Sequence, residues 1–236
     1  MQDNQDEQIK IKQFYNDIYY ARQPKTPHVP MHLRHLAKKI QVTRGQRILD
    51  VACGTGQWLM ATAALGALTS GIDISQKAID VCIKNLPNGN FSCGPAEALP
   101  FSDSQFDIVT CFGALEHFID PHKALLEMVR VAQPYAKFLL LVPNTDFLTV
   151  RLGFYKGTYQ TDIKEETKTI EEWNQIFEEA GLQVNKKWRD LHILNWSWVL
   201  RGTCLTIPCR LLQAVILPFW PLRWQYQIYF LCQKQV

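Results

Sequence analysis

The sequence predicts an α/β fold, a doubly wound and mostly parallel sheet, and three observations predict it. Short apolar runs recur from Arg47 to Val51, Ala67 to Asp73, Ile108 to Phe112 and Ala136 to Pro143, as strands buried on both faces do. Between and after them stand helix-opening residues: Ser75 before Gln76 to Leu86, Asp120-Pro121 before His122 to Ala132, and Thr169 before Ile170 to Ala180. The first run also ends on Asp50 and turns through Cys53-Gly54-Thr55-Gly56 into a helix at Gln57. Glycines at such a strand-to-helix turn let the backbone approach a ligand, because no Cβ intervenes.

Composition narrows the class. With 236 residues, 47% of them hydrophobic, the chain suits one embellished α/β domain rather than two. A net charge of +3, with lysines and arginines scattered, argues against nucleic acid as the main partner. The seven cysteines are odd in number and lack C-x-x-C spacing, so they read as reduced thiols of a cytoplasmic protein. Met1 to Glu7 is acidic and polar, the reverse of a secretory signal. Leu211 to Leu222 is apolar but too short to cross a bilayer, and Pro218 and Pro221 break it. Arg210 and Arg223 flank it, which leaves peripheral membrane contact open as a lesser alternative. Oligomeric state is left open as well.

Glu7 to Tyr20 reads as a helix with Phe14, Tyr15, Ile18 and Tyr19 on one side, and Gln23 to Pro30, with three prolines, as a linker. His28, His32 and His35 fall near helical spacing. Pro30 interrupts them and no cysteine or carboxylate stands at ligand spacing, so they read as solvent-facing and no metal is expected. Met31 to Ile40 follows as a short helix. Asn88-Gly89-Asn90 is a turn into a short third strand, Phe91 to Cys93. Asn144 to Lys168 has little apolar periodicity and reads as a substrate-covering loop, with Arg151, Tyr155 and Tyr159 as the side chains most able to meet a substrate. Leu182 to Arg189 is a sixth strand. Asp190 to Trp224 is an extra element containing Trp196, Trp198 and Trp220, helical from Trp196 onward, and Trp196 is a further substrate candidate. Gln225 to Cys232 closes the sheet.

The turn after Asp50 constrains its ligand. A dinucleotide fingerprint needs a third glycine for helix packing, and Leu59 stands there instead. Asp50 would also repel a pyrophosphate, whereas it suits a cationic end. Asp73, at the end of the second strand, can accept hydrogen bonds from two ribose hydroxyls. A nucleoside joined to an ammonium-bearing tail, without phosphate, describes S-adenosylmethionine.

At this point the chain resembles the class I S-adenosylmethionine-dependent methyltransferases, in the group that includes ubiquinone-biosynthesis enzymes. The resemblance is carried by Leu49 to Gly56, Gly71 to Ser75, Ala96 to Phe101, Phe106 to Val109 and Ala114 to Phe118, in that order. It implies a Rossmann-like sheet of seven strands with the last antiparallel. It also implies an N-terminal helical lid over residues 1–44, a cofactor domain over 45–236, and substrate-side insertions at 144–168 and 190–224. The implied cofactor residues are Asp50, Ala52, Cys53, Gly54, Gly56, Gln57, Asp73, Ile74, Ala96, Glu97, Ala98, Phe112 and Gly113. Where the family often has an acidic residue before Ala96, this chain has Pro95, so Glu97 or nearby backbone must hold the adenine. The lid places Tyr15 and Tyr19 beside the methyl donor, Tyr15 as a catalytic candidate and Tyr19 as a substrate contact. His117 is the candidate general base, since imidazole titrates near neutrality, and equally a candidate for the pocket wall.

A sulfonium methyl is already activated, so the enzyme chiefly aligns its acceptor. The expected reaction is methyl transfer to oxygen, or less favourably nitrogen, of a small and partly apolar molecule, with S-adenosylhomocysteine as product. Two alternatives remain: cyclisation or lyase chemistry on the cofactor itself, releasing methylthioadenosine, or a non-catalytic cofactor-binding partner protein. No Asn-Pro-Pro-Tyr segment of the kind that acts on nucleic-acid bases is present, and Pro143-Asn144 does not supply one.

Overall fold

The computed structural model describes residues 2–20, 28–147, 167–191 and 206–235. Seven strands form one sheet: β1 (Arg47–Val51), β2 (Leu68–Asp73), β3 (Asn90–Cys93), β4 (Phe106–Phe112), β5 (Ala132–Pro143), β6 (Leu182–Arg189) and β7 (Gln227–Lys234). Their order across the sheet is β3-β2-β1-β4-β5-β7-β6. The pairings from β3 to β5 are parallel, and β7 runs antiparallel to both β5 and β6. The strand order reverses between β1 and β4, which opens a crevice at their carboxyl ends, where open α/β sheets bind ligands.

Alternation within each strand feeds two cores. Ile48, Ile108, Leu139 and Leu141 pack on one face against α2 (Met31–Lys39), α3 (Gln57–Ala63) and α4 (Gln76–Asn85). Leu49, Val109, Phe138 and Leu140 pack on the other, with α5 (Pro121–Val131) and α6 (Ile170–Glu179). Three of these helices, α4, α5 and α6, start on a side-chain cap. The Ser75 side chain accepts from the Ala78 N–H, that of Asp120 accepts from Lys123 with Pro121 in the first turn, and Thr169 and Glu172 form a reciprocal capping box. The N-terminal helix α1 (Gln2–Phe14) passes into a single π-helical turn, Tyr15–Tyr19, and α7 (Thr206–Ile216) precedes β7.

Several boundaries differ from the sequence reading. Strand β5 begins at Ala132 rather than Ala136, because Phe106 pairs with Ala132 and the register then shifts so that Ile108 meets Lys137. Pro134 falls inside that irregularity, where its missing N–H costs no ladder bond. The closing strand runs two residues later than expected, since Gln225 is engaged by its side chain with Leu217 and Trp220. The described part of the final insertion is helical over Thr206–Ile216, and residues 192–205, including Trp196 where the expected helix begins, lie outside the described residues.

Candidate active site

The site is built at the carboxyl edge of β1, β2 and β4. Strand β1 delivers Asp50, which is 4% exposed, and the parallel register sets it beside Thr110 of β4. Thr110 Oγ1 donates to Asp50 Oδ1 at 2.6 Å. The chain then enters positive-φ backbone at Ala52 (60°), Gly54 (54°) and Gly56 (80°). A Cβ on Gly56 would stand 2.9 Å from Cys82 Sγ, so α3 could not start here with a larger residue. Strand β2 delivers Asp73, whose Oδ2 accepts from the Gly54 N–H and Oδ1 from the Ser75 N–H, both at 2.8 Å. One carboxylate thereby fixes both the glycine turn and the start of α4.

Both carboxylates are electrostatically unsettled. Burial, with a smaller push from the nearby Asp73, raises Asp50 to about 7 against the opposing bond from Thr110. Burial raises Asp73 to about 6, opposed by the Ser75 and Gly54 N–H groups. No lysine or arginine among the described residues contributes to either shift. Buried carboxylates without a cation are costly, and a ligand with a positively charged end removes that cost.

Two cavities meet over this edge. A smaller, partly enclosed one of about 170 Å³ is lined by Tyr15, Asp73, Ile74, Ala96, Glu97 and His117, among others. An open one of about 830 Å³ is lined by Asp50, Cys53, Gly54, Gln57, Trp58 and Tyr229, among others. Tyr19, Ala52, Phe112 and Gly113 line both and form the junction. Phe112 is held there edge-on between Trp58 (5.3 Å between centroids) and Tyr229 (5.9 Å).

Two of the expected cofactor residues line neither cavity. Gly56 acts through the turn conformation just described. Ala98 is exposed in the bend that follows Glu97. Glu97 faces the smaller cavity, but its Oε1 already accepts from the N–H groups of Ile119 (3.1 Å) and Asp120 (3.3 Å). His117 sits in the short 3-10 turn Leu115–His117, its N–H bonded to the Ala114 carbonyl at 2.9 Å. Arg151, Tyr155 and Tyr159 lie outside the described residues, as Trp196 does.

Sequence reasoning missed Thr110 and Tyr20. Thr110 carried a signal, a lone hydroxyl in the apolar run of β4, and such a group needs a partner; the parallel register that names Asp50 as that partner is tertiary. Tyr20 follows the aromatic group of α1 and lines the smaller cavity. Its Oη stands 2.9 Å from where a Cβ on Gly54 would be, and burial together with Asp73 raises its phenol far above the ordinary range. The segment is tied down by Asn16, whose Oδ1 accepts from Ser75 Oγ (2.7 Å) and from the Lys77 N–H (3.3 Å).

A buried carboxylate pair around a glycine turn, with no lysine or arginine partner among the described residues and a cavity lined by Asp73 and Ala96 beside it, fits the nucleoside and the cationic tail of S-adenosylmethionine. Comparison with known proteins agrees. Residues 49–140 match the family described as a methyltransferase domain. The demethylmenaquinone methyltransferase of Staphylococcus haemolyticus is 30% identical over 174 residues, which cover 63% of this chain and 73% of that protein. The ubiquinone biosynthesis O-methyltransferase of Coxiella burnetii is 32% identical over 122 residues, covering 50% of this chain and only 52% of that protein. Among solved structures, an S-adenosylmethionine-dependent methyltransferase from Aquifex aeolicus superposes with a TM-score of 0.57 at 16% identity, over 86% of this chain and 89% of that one. The chain belongs to the class I S-adenosylmethionine-dependent methyltransferases. It is an enzyme, and S-adenosylmethionine is its methyl donor.

Proposed function

We propose that this enzyme methylates an oxygen of a small, partly apolar acceptor of the quinone-precursor type. The observation that carries the reading is the junction of the two cavities at Tyr19, Ala52, Phe112 and Gly113. A nucleoside fits the smaller side, and the open side has apolar and aromatic walls from Trp58, Phe112, Leu141 and Tyr229. The names of the two relatives, which both concern quinones, support an aromatic acceptor with ring oxygens.

S-adenosylmethionine brings a methyl group on a sulfonium, an electrophile needing no further activation. The chain's residues then bind and align. Asp73 accepts from ribose hydroxyls with its remaining lone pairs, each oxygen having more than one acceptor direction. Asp50 faces the cationic tail. Glu97 and the backbone at Ala96 hold the adenine end. His117 takes the proton of the acceptor hydroxyl, Tyr15 borders the reacting centre, and Tyr19 closes over the acceptor. Residues 1–44 serve as the lid of a catalytic domain spanning 45–236, with the insertions 144–168 and 190–224, and Arg151, Tyr155, Tyr159 and Trp196 within them, on the acceptor side. The free thiols among the described residues support a reducing compartment, the cytoplasm.

The test begins with calorimetric titration of S-adenosylhomocysteine. The wild type binds, and Asp73→Ala weakens binding by more than about tenfold, the loss of hydrogen bonds to one charged group. Incubation with S-adenosylmethionine and hydroxylated quinone precursors then yields S-adenosylhomocysteine and a methyl ether. In that assay His117→Gln lowers kcat by at least about a hundredfold and flattens the acidic limb of its pH profile. Turnover with amines but not with hydroxyls would overturn the oxygen acceptor, and release of methylthioadenosine would overturn methyl transfer to a second molecule.

A further inference from the structure

Helix α7 turns apolar side chains toward solvent. Leu212 is 62% exposed, Val215 65%, and Phe219 in the turn that follows 83%, with Leu211 and Ile216 exposed beside them. This spacing lies along one side of the helix and its continuation, where a surface helix would ordinarily show polar residues. Single exposed apolar residues are ordinary, whereas a contiguous group marks an interaction surface.

Charge identifies what meets that surface. From Leu191 to Val236 the chain has no aspartate or glutamate, although it carries 22 in all. Arg210 and Arg223 stand at the two ends of the apolar group, and Trp220 and Trp224 adjoin it. An apolar ridge bordered by cations and indoles, with no carboxylate nearby in the chain, complements a bilayer interface bearing anionic headgroups.

The surface is joined firmly to the catalytic edge. Buried Gln225 donates its Nε2 to the carbonyls of Leu217 (2.7 Å) and Trp220 (3.2 Å). Asn144, just beyond β5, donates its Nδ2 to the carbonyls of Arg223 (2.8 Å) and Gln225 (3.0 Å). Two residues later Gln227 lines the open cavity. We propose that this face of α7 is a peripheral membrane-docking surface, which inserts Leu212, Val215 and Phe219 at the headgroup–acyl boundary of an anionic bilayer and holds the open cavity's edge at that surface. This goes beyond the methyl-transfer reading and does not depend on it.

Co-sedimentation of the full chain with phospholipid vesicles tests the assignment. The wild type sediments with phosphatidylglycerol-containing vesicles, less with pure phosphatidylcholine, and less as salt rises. The triple change Leu212→Ser, Val215→Ser, Phe219→Ser lowers the partition more than about tenfold. Arg223→Gln alone lowers it roughly fivefold, the loss of one cation at an anionic surface. Unchanged S-adenosylhomocysteine affinity certifies that the variants are folded; should the triple variant lose it, Arg223→Gln decides alone. The proposal is overturned if wild type and folded variants partition alike, or if the wild type ignores anionic vesicles. It is also overturned if sedimentation velocity without lipid shows a dimer that the triple change abolishes, for the face would then belong to a second copy.

Discussion

Asp50 is the residue where stability and the proposed function oppose each other. Burial raises its carboxyl to about 7, against roughly 4 in an unfolded chain. Between those values the folded protein keeps a proton that the unfolded chain has released. The stability Asp50 allows is therefore fully present below about pH 4 and is lost as pH rises toward 7. Asp73 acts in the same direction, up to about 6. We predict that the ligand-free protein melts at progressively lower temperature from pH 5 to pH 8. Asp50→Asn, which keeps a partner for Thr110, removes much of that decline and raises the melting temperature at pH 8. The same change weakens S-adenosylhomocysteine binding and removes its dependence on pH near 7, leaving that of Asp73 near 6; in the wild type, affinity strengthens as pH rises through 7, because the ligand's ammonium meets an ionised carboxylate. A variant that melts lower than wild type at pH 8, or binds as tightly, would contradict this account.

At the scale of elements, the start of α4 couples the sheet to the N-terminal segment. Ser75 is fully buried. Its N–H holds Asp73, its oxygen accepts from Ala78, and its hydroxyl donates to Asn16. Ser75→Ala leaves the Asp73 bond, which uses backbone, and removes the other two. Loss of the cap costs about 1 kcal/mol, read as a lower urea midpoint at unchanged slope. A change below the precision of that midpoint would show the cap to be idle. The π-helical turn Tyr15–Tyr19 belongs to the same argument. One extra residue in the turn rotates the chain so that Tyr15, Tyr19 and Tyr20 all line the smaller cavity, which the plain helical period of the sequence did not separate. Such turns are frequent at functional sites.

For the whole molecule, we propose that the N-terminal segment acts as a lid and moves when the cofactor enters. Tyr20 covers Gly54, and Asp73 beneath it is 5% exposed, so a nucleoside reaching that carboxylate must pass the N-terminal segment. Hydrogen exchange should register this. Amides from Ile11 to Tyr20 exchange rapidly in the free protein and become markedly slower with saturating S-adenosylhomocysteine, while the core of β4 and β5 changes little. Equal exchange in both states would remove the lid from the binding process.

The sheet and its glycine turn were legible from sequence because their causes are local. Strands β1 and β6 begin and end at Arg47, Val51, Leu182 and Arg189, as the apolar runs and turn residues indicate. Helix starts at Gln76 and Ile170 follow from the capping chemistry of Ser75 and Thr169. The carboxylates at the strand ends, and the cofactor they point to, depend only on residue type at a known point of a known unit. Thr110 opposite Asp50, Tyr20 above Gly54, Glu97 held by Ile119 and Asp120, and the outward apolar side of α7 are of another kind. Each is a meeting of segments far apart in the chain, or a choice of which helix side faces water. Side-chain period constrains such choices without deciding them; register, close packing and burial decide them, and these exist only once the chain has folded.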